Sequence, residues 1–166
     1  MVLTLIKEPI MKLETKDMKK IINLVPVPGD KYSLYEFGQE AKRFIHSHKW
    51  VERVFDGYLA KGFEGVLGIF YFEVLPKSKK LDSEIWVIAG DLPPAYFSTD
   101  YCPTPVNALD SYICEMRMWI NAVKRGDPVD ELIPVNVPAE PKYAQILKER
   151  LDFLEKNIVK GMRGTS

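Results

Sequence analysis

The run E-I-W-V-I-A-G-D-L-P-P, residues 84–94, constrains the fold of this chain more than any other stretch. Five consecutive apolar residues, Ile85 to Ala89, lead into Gly90-Asp91 and a double proline. A strand with one wet face alternates apolar and polar side chains, so an unbroken apolar run needs cover on both faces or a central position. The segment V-L-G-I-F-Y-F-E-V-L, residues 66–75, is rich in β-branched and aromatic residues and reads as a partner strand. The polar stretch P-K-S-K-K-L-D-S joins the two, which predicts an antiparallel hairpin of about 65–75 and 84–90. Lys77, Lys79 and Lys80 at its tip read as a solvated turn that discourages aggregation.

Helices supply the cover. Ser33 with Glu36 three residues on is a capping-box pattern, and Leu34, Phe37, Ala41, Phe44 and Ile45 follow at helical spacing. Trp50, Val51, Val54, Phe55, Tyr58 and Leu59 continue that spacing. They predict a second helix, or an extension of the first past His46-Ser47-His48, stopped by Gly62. Thr104-Pro105 offers an N-cap and a first-turn proline for a helix with the stripe Ala108, Tyr112, Ile113, Met116, Trp119, Ile120 and Val123. A last helix is expected over about 141–160, with Tyr143, Ile146, Leu147, Leu151, Leu154 and Ile158 inward and a frayed tail over 161–166. Residues 1–13 read as a strand or extended arm, and Thr15 as the cap of a short helix reaching Leu24. The expectation is a single α+β domain, residues 1–166, with a small antiparallel sheet packed against several helices.

Trp86-Val87-Ile88, then Gly90-Asp91-Leu92-Pro93, then Tyr96 and a proline-initiated helix carrying Met116, Arg117 and Trp119 give the C-terminal half a recognisable pattern. This pattern resembles an uncharacterised bacterial domain family with a W-V-I-x-G-D-L-P segment ahead of a long helix. The likeness covers about residues 84–159 and implies a coherent domain of bacterial origin. It implies no activity.

The 23 basic residues balance the 23 acidic ones, which argues against nucleic acid and against an anionic membrane surface as partners. The apolar runs fall well short of the ~20 residues of a membrane span. The start M-V-L-T-L-I-K-E-P-I lacks the features of a signal peptide. Two cysteines make no disulfide framework, so a cytoplasmic protein with reduced thiols is expected. G-F-E-G-V-L-G lacks the spacing of a phosphate or dinucleotide loop, and no cofactor is expected.

Four features remain as candidate sites. Asp91, at the end of a buried strand, is either a ligand-binding carboxylate or a turn residue bonded to its own backbone. His46 and His48 sit about 200° apart on a helix and cannot share a metal there, so no metal site is expected. Cys114 reads as a small core residue and Cys102 as an exposed thiol near a helix start. The stretch P-P-A-Y-F-S-T-D-Y-C-P, residues 93–103, reads as a stiff loop whose Tyr96, Phe97 and Tyr101 either meet a partner protein or fold back onto the core. Asp127 and Asp130-Glu131 read as turn caps in a proline-punctuated connector.

With no catalytic constellation in view, the expected function is a non-enzymatic protein-binding module of the inhibitor or immunity type. Asp91, Tyr96, Phe97 and Tyr101 are its candidate contacts. Two alternatives stay open: a small enzyme or ligand-binding domain with Asp91 in a cleft, and a structural subunit of a larger assembly.

Overall fold

Five strands follow one another across a single antiparallel sheet in sequence order: β1 (Lys19–Lys20), β2 (Val51–Phe63), β3 (Leu67–Pro76), β4 (Glu84–Gly90) and β5 (Leu92–Ser98). α1 (Leu34–His46) lies between β1 and β2 in the chain, and α2 (Pro105–Arg125), α3 (Pro141–Leu154) and the short α4 (Lys160–Gly164) follow β5. The computed structural model describes residues 14–164, and the arm expected over residues 1–13 lies outside them. No helix among the described residues is long and apolar enough to cross a membrane.

The apolar run is covered on both faces. Ile69 and Tyr71 of β3, Trp86 and Ile88 of β4 and Ala95 of β5 join Tyr112, Met116, Trp119, Leu147 and Leu151 in one core, beneath α2 and α3. The alternate residues Phe70, Phe72 and Val74 of β3, with Ile85, Val87 and Ala89 of β4, join Phe37, Ala41 and Ile45 in a second core beneath α1. The result is three layers: one helix, a sheet, and two helices. Each buried large side chain contributes about 1.5–3 kcal/mol, so neither face could be left wet.

Local chemistry sets the helix ends. Ser33 Oγ accepts from Glu36 N at 3.2 Å, as the capping pattern requires. Thr104 Oγ1 accepts from Asn107 N at 3.2 Å, Pro105 opens α2, and Gly126 ends it at φ 75°. Between α3 and α4, residues 155–159 form a π-type turn, with Ile158 and Val159 both buried. The helical path therefore carries on to Gly164, through residues expected as a frayed tail, and Met162 packs against the core.

Three expectations are corrected. Residues 51–63 form β2, not a helix. Its pairing with β3 shifts between Val51 and Arg53, between Val54 and Gly57, and between Leu59 and Lys61. The first shift puts Val51 and Val54 three apart on the α1 face, and Tyr58, four further on, faces the other core, so together they imitate a helical spacing. Residues 16–24 hold a turn, the two residues of β1 and a 3-10 turn over Ile21–Asn23 in place of the short helix. Residues 92–98 are a strand, with the double proline inside it.

That strand resolves the G-D-L-P-P sequence. Asp91 alone separates β4 from β5, and its N–H donates to Val66 O at 2.9 Å. A Cβ on Gly90 would collide with the Val66 carbonyl and lie 2.6 Å from Leu67 Cα. Pro93 and Pro94 sit where the β4–β5 register slips between the Ile88 and Gly90 pairs, in an edge strand, where a missing N–H is tolerated. Replacing Gly90 with alanine is expected to cost about 3 kcal/mol, because backbone must move. Gly126→Ala meets open space and should cost only the left-handed strain, about 1 kcal/mol. Urea unfolding of both variants measures the order, and equal small losses would contradict the close approach at Gly90.

Candidate functional site

β5 closes one end of the sheet and pairs only with β4 among the described residues. Thr99 N donates to Glu84 O at 3.4 Å, and Ser98 lies opposite Ile85. Alternation along an antiparallel ladder then turns the backbones of Phe97 and Ala95 toward β4, and those of Ser98, Tyr96 and Pro94 outward. The Ser98 carbonyl, facing out, accepts from Cys102 N at 3.0 Å. Proline has no N–H, so the outward edge offers the Pro94 carbonyl and both polar groups of Tyr96.

A groove of about 650 Å³ runs along this edge. One wall comes from the end of α1, through Phe44 and His48; the other comes from α2, through Ser111 and Glu115, and from residues 131–134 of the connector. The strand itself contributes residues 94–98, and Tyr101 and Cys102 follow it. Tyr96 belongs to an aromatic cluster, its ring centroid 5.0 Å from His48, 5.5 Å from Trp50 and 6.4 Å from Phe44. His48 Nδ1 is bonded to Phe44 O at 2.7 Å. Phe97 points to the opposite face and packs edge-on against Tyr112, centroids 6.5 Å apart. Tyr101 stands 88% exposed.

The expected loop residues are therefore held differently from one another. Tyr96 and Phe97 are half-buried on opposite faces of a strand, and Tyr101 is left in water at the rim. The groove brings all three together because it wraps the strand edge.

Asp91 lies elsewhere, at the sheet end against α3. Its Oδ1 is paired with Arg150 Nη2 at 3.3 Å, and hollows of about 250 and 350 Å³ flank the pair. The helix beside Asp91 is α3, not the long helix α2. Ile146, expected inward on α3, is 45% exposed and lines both hollows.

The two cysteines exchange places. Cys102 is 3% exposed, with Sγ 3.3 Å from Ser111 Oγ, and its carbonyl accepts from Trp86 Nε1 at 2.6 Å. Cys114 is exposed. It stands two residues past Tyr112 in the helix, which rotates it off the buried stripe. Asp127 pairs with Arg125 at 2.9 Å, whereas Glu131 lines the groove. No group of three or more His, Cys, Asp or Glu among the described residues could hold a metal ion.

Charges on the other two long helices act on Tyr112 of α2 where β5 begins. Tyr112 Oη donates to Pro93 O at 2.6 Å. Burial holds its pKa well above the ordinary value, with the Glu40 carboxylate adding to the rise and Arg150 opposing it. Burial likewise raises the Glu40 pKa, partly offset by Arg43. On the same face of the sheet as Tyr112, burial and a hydrogen bond to Glu84 push the Tyr71 hydroxyl upward.

Sequence reasoning weighed His48 only as a metal ligand, and it missed Phe44, Ser111, Glu115, Glu131, Leu132, Ile133 and Pro134 as groove residues. The connector carried a usable signal: Val129, Leu132, Ile133, Val135 and Val137 are many apolar residues for a solvated linker, and all five pack against the core. No family model, curated protein or solved structure matches the chain.

Glu40 yields a pH prediction. A carboxyl whose folded pKa is raised contributes stability below its ordinary value of 4.5, and that contribution is lost as pH rises through the folded pKa. Glu40→Gln, which never ionises, should raise the urea midpoint relative to the native chain at neutral pH. The difference should close as pH falls through the carboxylate range. A difference independent of pH would show that burial does not act on this carboxyl.

Proposed function

We propose that this chain is a protein-binding module that docks an extended segment of a partner protein in the groove along β5. The observation that carries the reading is the combination found at that edge: the Tyr96 backbone turned outward beside the rings of Phe44, Tyr96, Phe97 and Tyr101. An added strand gains main-chain hydrogen bonds from such an edge, and flanking pockets select its side chains. Pro94 removes one donor, so the pairing is short and the aromatic walls supply most of the affinity.

Tyr101 is the natural hot spot. A large ring at the rim of a groove gains most from being covered, and the turn that carries it is tied by the bond between Cys102 N and Ser98 O. A chain of this size and neutral charge would act by covering a surface of its partner, as inhibitor and immunity-type proteins do. Within the same proposal its setting is the bacterial cytoplasm.

The test begins with native mass spectrometry of the protein from its own cells, which identifies any stoichiometric partner. Binding of that partner to the Tyr101→Ala chain is then measured. The expected loss is about 2 kcal/mol, roughly 30-fold in Kd. The urea midpoint should stay unchanged, since the side chain is exposed. A partner that binds Tyr101→Ala as tightly as the native chain overturns the assignment of the groove.

A further inference from the structure

The charges of the groove point to the chemistry of what fills it, an inference that rests on the docking reading above. Its lining contains two carboxylates, Glu115 and Glu131, and neither lysine nor arginine. Elsewhere Asp82 and Glu84, beside another cavity, accept from the hydroxyls of Ser98 and Tyr71, and three further acidic side chains beside cavities are matched by cations. Asp91 is paired with Arg150, Asp110 with Arg163 at 2.6 Å, and Glu155 with Arg117 at 3.1 Å. Among the described residues no ion pair involves Glu115 or Glu131. His48, the one histidine of the lining, has Nδ1 bonded to Phe44 O and its ring edge-on to Phe44 and Tyr96.

We infer that the docked segment places a cationic side chain, arginine as the best fit, between the groove's aromatic rings and the carboxylates of Glu115 and Glu131. The carboxylates come from different elements, α2 and the connector, so they approach the groove from separate points. A guanidinium is planar, stacks on rings and offers donors along several edges, and its weak hydration lowers the cost of entering a half-dry groove. Charge-assisted bonds to the carboxylates then supply the strong polar contacts. An anionic segment would meet two uncompensated negative charges and no donor cation. A purely apolar one would leave the carboxylates facing it with lost hydration.

The test uses the full chain, labelled with nitrogen-15, and two defined peptides. One is acetyl-Gly-Val-Arg-Val-Gly-amide; the other carries norleucine in place of arginine. Amide shifts and titration curves are recorded for the native chain and for the double variant Glu115→Gln, Glu131→Gln. The arginine peptide should move the amides of Tyr96, Tyr101, Glu115 and Glu131 and bind roughly tenfold tighter than the norleucine peptide. That advantage should vanish in the double variant and shrink as salt is raised. Equal binding of both peptides in the groove would overturn the cation seat and leave the docking reading standing. Shifts outside the groove, or none with either peptide, would remove both.

Discussion

Strands β3 and β4 carry large apolar side chains on both faces, and covering both is the constraint from which the other elements follow. Ile85, Val87 and Ala89 face α1, while Trp86 and Ile88 face α2 and α3. A sheet so built is stable only inside a sandwich. The chain arranges this with a meander, by spending one helix before β2 and the others after β5. Trp86 shows how far the demand goes: its ring is buried, and the indole N–H still finds the Cys102 carbonyl. That bond ties the turn after β5 to the middle of the sheet.

The joint between α2 and α3 illustrates which forces matter. Arg117 reaches Asp152 at 2.9 Å and Glu155 at 3.1 Å, and Lys148 reaches Asp152 at 2.6 Å. These pairs are largely solvated, and pairs of that kind typically contribute about 1 kcal/mol or less. Beneath them Met116, Trp119, Ile120, Leu147 and Leu151 are all buried. The apolar seam holds the helices, and the ion pairs set their alignment.

Among the described residues no strand covers the outer edge of β5. Helices above and below a sheet protect its faces but leave the backbone of its last strand exposed at the rim. Here Pro94 removes a donor and the Ser98 carbonyl is satisfied by Cys102, which narrows the open edge to the neighbourhood of Tyr96. The layers rise on either side of it, and their separation makes the groove. The proposed docking function and the two unpaired carboxylates thus occupy the place where the architecture leaves polar backbone free.

The sequence by itself determined the elements whose signals are local. The hairpin, its lysine tip, the Ser33 cap and the stripe of α2 were legible because hydrophobic period and capping chemistry act over a few residues. The apolar run also required cover on both faces. Tertiary structure decided the rest. Bulges broke the alternation of β2 into a helical spacing, because the extra residues are defined only against β3. The two prolines became part of a strand, because an edge position is a property of the sheet and not of the segment. Cys102 was buried and Cys114 exposed according to which side of α2 meets the sheet. Asp91 found its partner 59 residues away in Arg150. The groove itself joins α1, β5, α2 and the connector, and no local pattern records that meeting, since its geometry exists only once the two helical layers have closed on the sheet.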